Sequence, residues 1–247
     1  MQKDSSEKRG AIPAKEGIGQ KRRIVVVDDH PITRRGFAAI LEAESDLEVC
    51  GEADNAADAF ELIKGLMPDA ALIDVTLRNS SGIELMKNIK SGLPRTPMLA
   101  VSMHGQVLYA ERALRAGARG YVMKEDAQDQ IVAALRSVLR NELYLSEGIR
   151  ELMLDRFTLK RNSDDKIFRM DSLSDREMEV FRLIGDGFTT RQIATALKLS
   201  AKTIDSHREN LKLKLQVGSA AELVHRAVQW SKGERVMESY IQPGQDG

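Results

Sequence analysis

The sequence predicts an α/β protein: a five-stranded, doubly wound parallel sheet followed by a separate all-α domain of four helices. Three observations predict it. The 247 residues are enough for two domains, each with a core of its own. From residue 24 to about residue 139, short apolar runs alternate with helix-length amphipathic segments, whereas after residue 172 only helix signals appear. The charge is divided in the same way. The total is zero, yet residues 24–145 carry 13 Lys and Arg against 18 Asp and Glu, net −5, and residues 173–232 carry 10 against 7, net +3. That division suits a regulatory unit joined to one that meets a polyanion.

The five strands are IVVVD (24–28), EVCGEA (48–53), AALID (70–74), PMLAVS (97–102) and GYVM (120–123). Between and after them lie ITRRGFAAILEAE, AADAFELIKGL, IELMKNIKS, QVLYAERALRAG and DQIVAALRSVLR. In the third of these, Ile83, Leu85, Met86 and Ile89 have helical spacing, and the others carry similar stripes. Strands alternating with helices imply right-handed crossovers and a parallel sheet covered on both faces. Ligands of such sheets sit at the carboxyl ends of the strands.

Residues 1–22 mix charges with Gly and Pro and are expected to form a flexible tail, as are residues 234–247. Residues 144–171 are expected to be a linker with a helix around Glu147–Leu159 and a polar run, KRNSDDK. In the all-α part, Ser174 with Glu177 forms a capping box, Gly185 and Gly187 end that helix, and Thr189 or Thr190, Ser200 and Ser219 cap three more. Hydrophobic residues at 42% and charged residues at 30% describe a globular chain. No apolar stretch approaches a membrane span, and the start has no secretory core, so a cytoplasmic location and no membrane partner are expected. The single cysteine, Cys50, reads as a strand residue rather than a reactive thiol.

Asp28 and Asp29 close the first strand, and Asp74 closes the third. With strand order 2-1-3-4-5, strands one and three are neighbours and the three carboxylates meet at one edge. Such crowding is unfavourable unless protons or a cation neutralise it, and a hard divalent ion such as Mg²⁺ suits oxygen ligands. Ser102 closes strand four and Lys124 follows strand five. A hydroxyl and an ammonium facing a metal-bound carboxylate are what a phosphoryl group there requires, so Asp74 can act as a nucleophile forming an acyl phosphate. Taken singly, Lys124 could be a solvated loop lysine, Ser102 a strand-end cap and Tyr121 a half-buried strand aromatic. Matches at five strand-end positions together point to a site.

This constellation, with Tyr121 three residues before Lys124, Gly82 after Asp74, and the run RALRAGARGYVMKED, resembles the receiver domain of two-component response regulators over residues 23–143. The resemblance implies a flavodoxin-like fold. It implies that Asp74 accepts phosphate from a sensor histidine kinase and that Asp28, Asp29 and Asp74 hold Mg²⁺ with the Thr76 backbone carbonyl. It also implies that Lys124 contacts the phosphate, and that Ser102 and Tyr121 form a switch pair in which the ring turns inward. Arg78 departs from the family, where Pro is common.

Residues 172–233 resemble the LuxR-type helix-turn-helix of the NarL/FixJ class. LSDREMEV opens the domain, GFTTRQIATALKLS supplies the scaffold helix and turn, and SAKTIDSHRENLKLKL supplies the recognition helix. Ile193, Ala194, Leu197, Ile204, Leu211 and Leu215 are expected to face inward, and the opposite face is polar. Lys202, Thr203, Ser206, Arg208 and Lys212 are the main DNA-facing candidates, with Arg191 and Lys198 as weaker phosphate contacts. Asp205, Ser206 and Glu209 occupy the family's base-reading stations. Asp205 stands where relatives carry Lys; it can accept from a cytosine amino group but repels phosphate. Leu223, Val224, Ala227 and Trp230 share a stripe on the last helix, which in the family helps form the dimer. His207 reads as a packing residue, and Leu213 falls on the polar side. The resemblance implies a non-enzymatic transcription regulator whose partners are double-stranded DNA, a sensor histidine kinase, a second copy of the chain and RNA polymerase. Two other readings stand beside it: DNA binding with the first domain as a constitutive dimerisation module, and a receiver serving an adaptor or an enzyme.

Overall fold

The computed structural model describes residues 21–77, 80–103, 107–159 and 170–241. Arg78, the KRNSDDK run and all but the last two residues of the expected N-terminal tail lie outside them. The first domain runs β1 (Arg22–Val27), α1 (Pro31–Glu42), β2 (Leu47–Ala53), α2 (Ala56–Leu66), β3 (Ala70–Asp74), β4 (Thr76–Leu77), β5 (Ser80–Ser81), α3 (Gly82–Gly92), β6 (Met98–Ser102), α4 (Val107–Ala116), β7 (Gly120–Met123) and α5 (Ala127–Leu139). Then come β8 (Tyr144–Leu145), α6 (Glu147–Leu159), a 3₁₀ turn (Met170–Ser172), α7 (Asp175–Gly185), α8 (Thr190–Ala196), α9 (Ala201–Leu215) and α10 (Ala220–Ile241).

The sheet order is β2-β1-β3-β6-β7-β8, with every pairing parallel. The expected doubly wound order is present, but the sheet has six strands rather than five. The extra strand, β8, is only two residues long, too short to carry a periodic signal, and it comes from the start of the expected linker. A small antiparallel pair, β4 with β5, follows Asp74.

Period-two alternation divides the core. Ile24, Val26, Leu72, Leu99, Val101 and Val122 pack with Phe37 and Leu41 of α1 and Ile131 and Leu135 of α5. Val25, Val27, Ala71, Ile73, Ala100 and Tyr121 pack on the other face with residues of α2, α3 and α4. Near-continuous apolar runs are what a strand buried on both faces requires. Cys50 is half-buried in β2, and burial pushes its thiol pKa up, as befits a packing residue.

The second domain follows its cap signals. Ser174 and Glu177 form a reciprocal capping box, Thr189 and Gln192 another, and Ser200 accepts from the Thr203 N–H. Ser219 Oγ accepts from the Glu222 N–H at 3.1 Å. Ile193, Ala194, Leu197, Ile204, Leu211 and Leu215 are all buried, as their spacing predicts. Leu223 and Ala227 of α10 are buried, and Trp230 stacks at a tilt on Phe181 with ring centroids 5.6 Å apart, while Val224 is exposed. The last helix continues to Ile241, past residue 234 where a tail is expected, because Gly233 lowers helix propensity without forbidding a helix. The core on the α2–α4 face of the sheet is continuous with Met170, just before the second domain, and with Leu173 and Met178 inside it. Among the described residues no helix is long and apolar enough to cross a membrane.

Candidate functional site

The crossover topology delivers five side chains to one edge of the sheet. Asp28 follows β1, Asp74 ends β3, Ser102 ends β6 and Lys124 follows β7, with Asp29 beside Asp28. Asp28, Asp29, Asp74 and Ser102 are buried, as is the Lys124 side chain. The Lys124 ammonium lies 2.7 Å from Asp28 Oδ2 and 2.7 Å from Asp74 Oδ2. The other Asp74 oxygen, Oδ1, accepts the Thr76 backbone N–H at 3.0 Å, while Asp28 Oδ1 accepts the His30 N–H at 2.7 Å.

Backbone shape holds Asp74 in place. Gly82 donates its N–H to the Val75 carbonyl at 3.1 Å. A Cβ at this position would fall 1.9 Å from the Asp74 carbonyl oxygen, so only glycine permits the close return of the chain. Tyr121, in β7, is wholly buried.

Burial pushes the Asp74 pKa up to about 6; Lys124 opposes the shift, and the neighbouring Asp28 adds to it. Burial also works against the Lys124 ammonium, but Asp74 and Asp28 outweigh it and hold its pKa above the ordinary lysine value. The lysine is thus held charged by the two carboxylates it faces, and the aspartate is the group of the pair whose charge burial disfavours most. Ligand atoms of Asp28, Asp29, Asp74 and His30 lie within 4.8 Å of one another, so the donor set fits a hard divalent cation. Such a pocket can hold a cation and present one carboxylate oxygen as a nucleophile.

Two residues at this edge lie outside the sequence-derived set. His30 Nδ1 is 2.9 Å from Asp29 Oδ1, a neighbour that the string DDHP displays openly. Arg34 Nη1 donates to the Asp28 carbonyl at 2.7 Å, and its Nε donates to Glu52 at 3.0 Å, tying the β1–α1 turn to the end of β2. Its place six residues after Asp28, on a helix, carries no such signal in sequence.

At the other end of the chain, α9 presents Lys202, Asp205, Ser206 and Glu209 as exposed residues and Thr203, Arg208 and Lys212 as half-buried ones. Arg191 and Lys198 are also exposed. Several of these groups are locally engaged: Thr203 Oγ1 lies 2.8 Å from Ser200 Oγ, Ser206 Oγ donates to the Lys202 carbonyl, and Lys212 pairs with Glu209 at 2.8 Å. His207 is half-buried, and burial with the nearby Arg176 lowers its pKa, in keeping with packing. Leu213 is exposed on the same polar side.

Comparison with known proteins agrees with both halves. Residues 24–136 match the response regulator receiver domain, and residues 171–227 match the luxR family of bacterial regulatory proteins. The oxygen regulatory protein NreC of Staphylococcus haemolyticus (strain JCSC1435) is 31% identical over 209 residues, covering 83% of this chain and 96% of NreC. A structure of the RcsB response regulator of Salmonella typhimurium is similar at 25% identity and TM-score 0.54, covering 84% of this chain and 98% of that one. A structure of two RcsB dimers bound to two parallel DNAs matches at 25% identity and TM-score 0.53, covering 83% and 97%. With a receiver pocket at one end, a helix-turn-helix at the other and relatives matched along nearly their whole length, the chain belongs to the NarL/FixJ-type response regulators, two-component proteins that act on DNA through a LuxR-type domain.

Proposed function

We propose that Mg²⁺-dependent phosphorylation of Asp74 by a sensor histidine kinase controls dimerisation and sequence-specific DNA binding, and thereby transcription. The observation that carries this reading is the setting of Asp74: a buried carboxylate fixed by the Thr76 N–H, contacted by Lys124 and flanked by Asp28 and Asp29. One Asp74 oxygen attacks the phosphorus of a phosphohistidine; the O–P bond forms as the N–P bond breaks, and the imidazole leaves. Asp28, Asp29, Asp74 and the Thr76 carbonyl are the residues that would hold Mg²⁺, which when bound supplies charge neutralisation for the transferring group. Lys124 stabilises the phosphoryl oxygens, and Ser102 with Tyr121 relays the change.

The reader of DNA is α9, with Lys202, Thr203, Arg208 and Lys212 positioning it and Asp205, Ser206 and Glu209 facing bases. Residues 23–143 together with the edge strand β8 form the receiver, the rest of 144–171 the linker and 172–233 the DNA-binding domain, working in the cytoplasm with RNA polymerase as the downstream partner. A small phosphodonor with Mg²⁺ tests the chemistry. Wild type becomes labelled and Asp74→Asn does not; labelling of the variant would overturn the assignment.

A further inference from the structure

We infer that the first turn of α7 couples the two domains: the receiver grips it through Asp175, and it braces the recognition helix through Glu177. Arg112 of α4, nearly buried, donates from Nη1 to Asp175 Oδ1 at 2.7 Å and from Nη2 to the carbonyls of Met170 (3.1 Å) and Leu173 (2.6 Å). Lys87 of α3 donates to the other Asp175 oxygen at 2.9 Å while also meeting Glu84 at 2.8 Å. Both carboxylate oxygens are thus held by receiver cations. Burial would raise the Asp175 pKa, but hydrogen bonds, led by that from Lys87, outweigh it and lower it.

Two residues on, Glu177 Oε2 accepts from the Ser174 N–H at 2.7 Å and from Lys214 of α9 at 2.6 Å. Between them, Arg176 Nη2 donates to the Leu197 carbonyl at the end of α8 at 3.0 Å. Four consecutive residues, Ser174 to Glu177, therefore join the receiver to both helices of the DNA-reading pair. The receiver side of the grip comes from the helices that follow Asp74 and Ser102 in the chain. Thr76, whose N–H binds Asp74, lines the same small cleft between the domains as Arg112 and Asp175.

The grip leaves the exposed stripe of α9 (Lys202, Asp205, Ser206 and Glu209) uncovered. The receiver thus governs the orientation of the DNA-binding domain rather than masking its reading surface. A fixed orientation prevents two copies from setting their recognition helices at the spacing of adjacent half-sites, and release permits it. This inference rests on the phosphorylation reading for its trigger and on α9 as the DNA reader for its output.

The test uses the full chain. Arg112→Gln, Asp175→Asn, the double variant and Lys87→Gln are compared by small-angle scattering, by hydrogen exchange across Ser174 to Glu177, and by anisotropy of a labelled duplex selected in vitro by the wild type. Lys87 is half-exposed at the interface, so its variant guards against simple misfolding. Each single variant is expected to broaden the interdomain distance distribution, speed exchange in that turn and change DNA affinity by about 5-fold or more without phosphorylation. The double variant should do no more than the stronger single one, since both break one network. Beryllofluoride with Mg²⁺ should open the wild type and add little to Arg112→Gln, and Lys214→Gln should uncouple DNA affinity from beryllofluoride while scattering still reports opening. Compact variants with unchanged exchange, or additive effects in the double variant, would overturn the inference. If the wild type binds no beryllofluoride, the phosphorylation reading fails, and scattering from the unmodified variants still decides whether the grip exists.

Discussion

Lys124 Nζ is equidistant, at 2.7 Å, from Asp28 Oδ2 and Asp74 Oδ2, so one buried ammonium serves as counter-charge to two buried carboxylates. Removing one partner of a buried ionic group typically costs about 3–5 kcal/mol, because the remaining charge is left uncompensated. Lys124→Gln should therefore lower receiver stability by about that amount in EDTA, and Mg²⁺ should restore a large part of it. Thermal denaturation with and without the ion checks this; equal losses in both conditions would mean that lysine and metal do not share the same carboxylates.

Asp74 makes stability depend on pH. Its folded pKa of about 6 lies above the ordinary 3.8, so the folded chain binds this proton more tightly than the unfolded chain. The contribution is fully present below pH 3.8 and is lost as pH rises through 6. In metal-free protein, Asp74→Asn should match wild type near pH 4 and exceed it by roughly 3 kcal/mol above pH 7. Denaturant melts of the two proteins across that range measure the difference, and a constant offset would disprove the linkage.

Glycines 82 and 36 should respond in opposite directions. Ala at Gly82 would drive a Cβ against the Asp74 carbonyl, costing roughly 3 kcal/mol and displacing the acceptor. Gly36 sits within α1 with nothing within 4 Å of an added Cβ, so Gly36→Ala should stabilise by up to about 1 kcal/mol. Equilibrium denaturation ranks the pair against wild type.

Asp205 is an exposed acid on the stripe of α9 proposed to face DNA. Asp205→Asn should tighten binding to every duplex at low salt by removing phosphate repulsion, while weakening any preference for a contacted cytosine. Lys202→Ala should weaken binding across sequences and reduce the salt slope by about 1 if the lysine neutralises a phosphate. Titrations at several salt concentrations separate the two effects.

The strands and helices of the receiver were legible because burial on both faces writes long apolar runs, and the acidic pocket because strand ends and chain order locate it. Caps at Ser174, Thr189 and Ser200 were equally open, since capping is a local interaction between residues three apart. Arg34, Arg112 and Lys87 were not. Each looks like an ordinary helix-surface cation until tertiary structure brings Glu52 or Asp175 beside it. Asp175 itself was hidden by its place at the start of α7: an acid in the first helical turn already has a local explanation. β8 was missed because a strand of two residues is defined by the neighbour it pairs with.

That small strand fixes where the first domain can be cut. Tyr144 donates its N–H to the Arg119 carbonyl and Ser146 donates to that of Tyr121, so the chain just beyond α5 satisfies the outer edge of β7. A receiver fragment ending at residue 143 would bare that edge to any free strand and should self-associate in sedimentation experiments, whereas one ending after Ser146 should remain a single species. The first residues after the receiver thus belong to its sheet, and the tether to the DNA-binding domain begins beyond them.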